Sequence, residues 1–118
     1  MTATPTFDRI ALTVSNLHEQ VERLATAFGM EAQFRSDQFA VVADPGSGLK
    51  FELSGSDDGD VHLRHLGSRA DDVDTAHEGL VDAGMEANSA PHRQDFAGMY
   101  TSYLQQPGGV EVQLVKYD

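Results

Sequence analysis

Residues 45–53 read PGSGLKFEL, and residues 107–114 repeat this pattern, one residue shorter, as PGGVEVQL. A second stretch, GMEA at residues 29–32, recurs at residues 84–87. The two stretches keep their order, so the chain contains the same unit twice. A unit of this length exceeds the period of most solenoid repeats, and two copies are too few for a stable array. The repeats therefore predict two related half-domains that share one core.

The first half of the chain has a βαβββ pattern. Apolar and polar residues alternate over residues 7–14, which is typical of a half-buried strand. An apolar helical stripe follows over residues 17–28, with Asn16 and Glu19 as a capping box and Gly29 placed to end the helix in a left-handed conformation. Strands are then predicted over residues 31–36, 38–43 and 49–54.

The second half repeats this pattern. A strand is predicted over residues 61–68, followed by a helix that Asp71 or Asp72 caps and Gly84 ends. The residues 90–98 are predicted to be a mobile loop over a site. The remaining strands are predicted over residues 86–89, 99–104 and 110–116.

These elements predict an α+β fold in which two tandem βαβββ modules form one curved mixed sheet. Module 1 spans residues 7–54, module 2 spans residues 61–116, and the acidic residues 55–60 link them. The helices cover one face of each half-sheet, which leaves the other face to form a cleft. We expect a single domain over residues 1–118, because this length is usual for one domain.

The composition excludes several classes of partner and site. The chain has 118 residues, no cysteine and a net charge of −11. The lack of cysteine excludes disulfides, thiolate catalysis and cysteine-bound zinc. The negative charge disfavours nucleic acid and anionic lipid, and no apolar run approaches the ~18 residues of a membrane span. Because no export signal is recognisable, we expect a cytoplasmic protein.

Strand alternation selects the side chains that face the predicted cleft. The repeat places Arg9 at the same position as His65, and Glu52 at the same position as Gln113. Lys50 and Glu111 face the same side, and they could equally form an ion pair with each other. Tyr100 and Tyr103 have opposite parity, so one lines the ligand pocket and the other belongs to the core; we place Tyr100 in the pocket. The predicted pocket residues are thus Arg9, Lys50, Glu52, His65, Tyr100, Glu111 and Gln113.

Three motifs give the chain a resemblance to a known superfamily. They are RIALTVSNL at residues 9–17, FGM at residues 28–30 and QPGGVEVQL at residues 106–114. With these motifs, nearly the whole chain resembles the vicinal oxygen chelate superfamily, which includes glyoxalase I, bleomycin-resistance proteins and extradiol dioxygenases. The resemblance implies the glyoxalase-like fold and, by analogy, a homodimer.

In metal-dependent members of that superfamily, four strands each supply one ligand to a metal ion. The matching positions here are Arg9, Glu52, His65 and Gln113. Glu52, His65 and Gln113 could coordinate a metal, whereas a guanidinium has only donors and cannot. We therefore expect Arg9 to form an ion pair with Glu52 in place of the metal.

Two functions follow from the resemblance. We favour a small-molecule binding protein, similar to the bleomycin-resistance members, with an incomplete ligand set and no cofactor. The alternative is a metal-dependent lyase, isomerase or dioxygenase, with Zn, Ni, Fe, Mn or Mg as the divalent ion. In that case Glu52 and Gln113 are the candidate catalytic residues, because either could move a proton.

Overall fold

The computed structural model describes residues 4–56 and 59–118. The chain divides into two compact units, residues 8–64 and residues 65–118 together with the segment before residue 8. Their boundaries, at residues 8 and 65, differ from those of the predicted modules, 7–54 and 61–116, so the module bounds stay a prediction. Residues 57 and 58 of the predicted linker lie outside the described residues. Across the described residues, neither helix is long and apolar enough to cross a membrane.

The order of helices and strands confirms the α+β fold with two βαβββ modules. In chain order the elements are β1 (Thr6–Val14), α1 (Leu17–Phe28), β2 (Glu31–Arg35), β3 (Phe39–Ala43), β4 (Lys50–Gly55), β5 (His62–Arg69), α2 (Val73–Asp82), β6 (Glu86–Gln94), β7 (Met99–Gln105) and β8 (Glu111–Tyr117). One turn of 3₁₀ helix, Asp95–Ala97, lies between β6 and β7.

Module 1 is a four-stranded sheet with α1 packed on one face. Its strand order is β2-β3-β4-β1, with β1 parallel to β4 and the other pairs antiparallel. Burial of the apolar side chains between α1 and the sheet drives this packing. The buried residues of this core are Val14, Leu17, Val21, Met30, Ala40, Val42 and Leu53.

The structure confirms the predicted C-terminal end of α1 but not the predicted capping box at its N-terminal end. Gly29 adopts a left-handed conformation with φ of 68°, and its N–H donates to the carbonyl of Ala25, which confirms the predicted end. Asn16 precedes the helix as expected. However, Asn16 itself is left-handed, with φ of 52°, and its side chain makes no capping hydrogen bond with the described residues. The predicted capping box is therefore wrong.

Module 2 repeats the topology of module 1. Its strand order is β5-β8-β7-β6, with β5 parallel to β8 and the other pairs antiparallel. The side chain of Asp72 accepts a hydrogen bond from the Thr75 N–H at 3.1 Å, which confirms Asp72 as the cap of α2. The core between α2 and the sheet contains the buried residues Ala70, Val73, Leu104 and Leu114.

The predicted mobile loop over residues 90–98 is wrong. Strand β6 continues to Gln94, and the 3₁₀ turn occupies most of the rest. Two register shifts in β6 accommodate extra residues in this strand. Pro91 has no backbone N–H to donate, and an edge strand tolerates this because one of its sides makes no sheet hydrogen bonds. Arg93 fixes the end of the strand through ion pairs with Asp95 and Asp118. The segment is therefore hydrogen-bonded structure.

Candidate functional site

The duplicated positions match in strand register. In module 1, Glu52 on β4 lies opposite Ala11 on β1, two residues after Arg9. In module 2, Gln113 on β8 lies opposite Gly67 on β5, two residues after His65. Arg9 and His65 are both buried, with 4% and 7% of their surface exposed. The predicted equivalence of Arg9 with His65 and of Glu52 with Gln113 therefore holds in the register of each module.

Module 1 carries an ion cluster around Arg9. The Nε atom of Arg9 lies 3.5 Å from Oε1 of Glu52, which is the predicted ion pair. The same atom lies 3.2 Å from Oδ1 of Asp8. The side chains of Asp8 and Glu52 are 19% and 21% exposed, so both carboxylates are largely withdrawn from water. The single guanidinium places one positive charge beside both carboxylates, which lowers the cost of burying them.

The sequence prediction missed Asp8. Neighbouring side chains on a strand point to opposite faces, so alternation separates Asp8 from Arg9. The long arginine side chain nevertheless brings Nε back to the preceding residue. Adjacent opposite charges in the sequence were the only signal for this contact.

An apolar wall lies beside Glu52 on the face of the sheet opposite to α1. Val41 on β3 is directly opposite Glu52, and Phe34 on β2 is directly opposite Val41. The ring of Phe34 contacts that of Phe39, two residues before Val41, with centroids 6.1 Å apart and a tilt of 49°. Phe34 is 54% exposed, so this aromatic surface is available for contact. Strand alternation applied to β2 and β3 would have found these residues.

Module 2 carries a neutral polar network at the equivalent positions. Nε2 of Gln113 donates to Oγ1 of Thr101 at 3.2 Å and to the hydroxyl oxygen of Tyr103 at 3.0 Å. The ring of His65 packs edge-on against Tyr103, with centroids 5.5 Å apart and planes at 80°. Gln113 is only 3% exposed. One cluster thus forms through a hydrogen bond from the Gln113 amide to Tyr103 and an aromatic contact between Tyr103 and His65.

Comparison with known proteins identifies the family. The family model described as the Glyoxalase/Bleomycin resistance protein/Dioxygenase superfamily matches residues 6–114. The chain belongs to this superfamily. The match confirms the resemblance to vicinal oxygen chelate proteins that the sequence motifs indicated. The comparison with curated proteins gives no match.

Solved structures of the superfamily share the fold. Methylmalonyl-CoA epimerase from Mycobacterium tuberculosis has a TM-score of 0.76 and 22% identity, over 100% of this chain and 93% of that chain. The Mn(II)-bound glyoxalase from Novosphingobium aromaticivorans has a TM-score of 0.80 and 16% identity, over 98% of this chain and 40% of that chain. Homoprotocatechuate 2,3-dioxygenase from Brevibacterium fuscum has a TM-score of 0.75 and 12% identity, over 96% of this chain and 37% of that chain. The chain spans less than half the length of the latter two proteins, and these identities establish the fold alone.

The donor set of module 1 does not fit a divalent metal ion of the kind that the glyoxalase structure contains. At one of the two equivalent positions, Arg9 offers only N–H donors and would repel a cation. The other position holds Glu52, whose carboxylate could bind a metal ion. The Nε atom of Arg9 lies beside that carboxylate. Within residues 4–56 and 59–118, no group of three or more histidine, cysteine, aspartate or glutamate side chains is placed to hold a metal ion.

The structure corrects the choice between the two tyrosines. Tyr100 packs against the core of module 2, on the side of α2, and its hydroxyl donates to Asp74 at 2.7 Å. This hydrogen bond, together with burial, raises the pKa of Tyr100. Tyr103 lies instead beside Gln113 and His65. The prediction that Tyr100 faces the cleft was therefore wrong, and Tyr103 lies on the face that carries Gln113 and His65.

The other two predicted pocket residues lie at the margin of these clusters. Lys50 is half-buried and lies opposite Arg9 in the strand register. Glu111 precedes Gln113 on the same face of β8 and accepts a hydrogen bond from Asn88 at 2.9 Å. The ion pair between Lys50 and Glu111 stays a prediction.

Proposed function

We propose that this superfamily member is a small-molecule binding protein that works without a bound metal ion. The observation that carries the proposal is the buried ion cluster of Arg9 with Glu52 and Asp8. In this cluster a guanidinium supplies the positive charge that a metal would otherwise bring to Glu52. Because the charge belongs to the chain, it needs neither metal uptake nor an open coordination position.

The surroundings of the cluster support binding. Small-molecule sites combine apolar and aromatic surface with a few polar groups that fix orientation. The wall of Phe34, Val41 and Phe39 supplies the apolar surface beside Glu52. The charged groups of Arg9 and Glu52 supply the polar groups that fix orientation. The proposed ligand therefore has an apolar, flat part and a polar part.

Metal analysis with an Arg9→His variant tests the proposal. We expect purified wild-type protein to hold far less than one equivalent of Zn, Ni, Fe, Mn or Mg, before and after chelator treatment. The variant should gain affinity for a divalent ion, because imidazole is a ligand and guanidinium is not. Arg23→His is the matched control, since Arg23 is exposed on α1 and its replacement should not change metal content. A stoichiometric metal ion in untreated wild-type protein would overturn the proposal.

The second candidate is a metal-dependent lyase, isomerase or dioxygenase. Two observations favour it: module 2 keeps His65 and Gln113, which both carry donor atoms for metals, and a similar structure is a Mn(II)-bound glyoxalase. In this case Glu52 and Gln113 are the proposed catalytic residues. The same metal analysis decides between the candidates, because this one requires a metal in the wild-type protein.

We also propose a homodimer in the cytoplasm that binds neither nucleic acid nor membranes. The net charge of −11 supports the last two statements. Sedimentation velocity at micromolar concentration should give the mass of two chains. A compact monomer would contradict the dimer, and recovery of the protein in an exported or membrane fraction would contradict the location.

A further inference from the structure

The hydroxyl of Thr101 is a fully buried group beside Gln113. Thr101 lies on β7 with 0% of its surface exposed. Its Oγ1 donates to the carbonyl of Leu114 at 2.7 Å, a shorter contact than the 3.2 Å that separates it from Nε2 of Gln113. A hydroxyl has one hydrogen, so Thr101 can only accept from Gln113.

This direction determines which way the amide of Gln113 lies. Both hydrogens on Nε2 are used, one toward Thr101 and one toward the hydroxyl oxygen of Tyr103. Oε1 of Gln113 therefore lies on the opposite side of the amide group from these two hydroxyls. Tyr103 alone would not impose this orientation, because a phenol can donate to Oε1 as readily as it accepts from Nε2.

We infer that Thr101 is a positioning residue that fixes the amide of Gln113, so that the amide oxygen is the atom that this side chain leaves for a ligand of module 2. A ligand group that binds there then carries a hydrogen-bond donor, such as a hydroxyl or an N–H group. The inference rests on the proposed binding function and adds the polarity of one ligand group. Module 1 has no hydroxyl at the equivalent position. Thr101 lies two residues before the strand partner of Gln113, and Phe39 lies two residues before the strand partner of Glu52.

Nuclear magnetic resonance of the full chain tests the positioning role. In the wild type, the side-chain amide hydrogens of Gln113 should show contacts with the methyl group of Thr101 and slow exchange with water. Thr101→Val keeps the shape and removes the hydroxyl, so exchange should be about fivefold to tenfold faster, the value of one net hydrogen bond. Thr101→Ser restores the hydroxyl and should restore slow exchange. Unchanged exchange in Thr101→Val, or equal acceleration in Thr101→Ser, would overturn the inference.

The test does not depend on Thr101→Val being folded. Tyr103→Phe removes one acceptor but leaves Thr101 in place, so the contact between the Gln113 amide hydrogens and the Thr101 methyl group should persist. Loss of that contact in Tyr103→Phe, or its absence in the wild type, would also overturn the positioning role.

A matched pair of probes tests the polarity of the ligand group. Phenol carries a hydroxyl donor, and anisole has the same ring without it. Phenol should shift the Gln113 side-chain signals at a concentration at which anisole leaves them unchanged, and Thr101→Val should abolish this difference. Equal shifts from both probes, or no shift from phenol up to the highest concentration at which the backbone signals remain those of the folded chain, would overturn the donor assignment. A metal ion in the wild type would instead overturn the proposed function, while the amide measurements would still stand.

Discussion

Replacing Arg9 with methionine should lower the free energy of unfolding by about 3 kcal/mol, because it leaves two carboxylates in a largely buried site without their counter-ion. Arg9 is 4% exposed and forms the ion pairs with Asp8 and Glu52. Methionine keeps much of the side-chain volume, so the loss reports the charge more than the packing. Urea unfolding at one fixed protein concentration measures the change.

Neutral variants of the two carboxylates provide the control for this result. Asp8→Asn and Glu52→Gln, combined with Arg9→Met, remove the repulsion that the single variant creates. The triple variant should therefore recover about half of the lost stability, because a neutral polar cluster is less costly to bury than two unpaired charges. If Arg9→Met stayed within about 1 kcal/mol of the wild type, the cluster would be too well solvated to replace a metal ion.

Much of the fold could be predicted because its determinants are local. Gly29 ends α1 through a left-handed conformation that glycine adopts without strain, and Asp72 caps α2 through its own side chain. The alternation of each strand separates the helix side, such as Leu53, from the opposite side, such as Glu52. Each of these signals lies within a few residues of the feature it determines. The sequence alone is therefore enough to predict these helix ends and strand faces.

Two of the errors concern features that depend on partners far along the chain. The segment over residues 90–98 was predicted to be a loop because it is long, polar and aromatic at Phe96. Its order comes from pairing with β7 and from the contact of Arg93 with Asp118. The face of Tyr100 likewise depended on the pairing of β7 with β8, in which Tyr103 lies opposite Gln113. A shift by one residue exchanges the core face and the pocket face of a strand.

The two modules have kept one architecture and have diverged in the chemistry of their equivalent positions. Module 1 has charged Arg9 and Glu52 beside an aromatic wall. Module 2 has neutral Gln113 in a hydrogen-bonded network with Thr101 and Tyr103. Because a guanidinium has no lone pair for a metal ion, Arg9 supports the proposal that this superfamily member works without one.

Truncating the equivalent core leucines, Leu53→Ala and Leu114→Ala, should each lower the free energy of unfolding by about 3 kcal/mol. Leu53 in module 1 is 1% exposed and Leu114 in module 2 is 0% exposed, so each variant leaves a cavity in its own core. Val61→Ala and Val110→Ala are the controls, because these valines are 65% and 46% exposed. The controls should stay within about 0.5 kcal/mol of the wild type.

The same leucine variants test whether the chain is one domain over residues 1–118. We propose a single cooperative transition that both variants shift. A module of under about 60 residues buries too small a share of its surface to be more than marginally stable by itself. Module 2 illustrates this, since the core cluster between α2 and its sheet contains four buried apolar residues among those described. Circular dichroism and tyrosine fluorescence should therefore report the same midpoint in each variant. Two transitions, with Leu53→Ala moving one and Leu114→Ala the other, would show that the modules unfold separately.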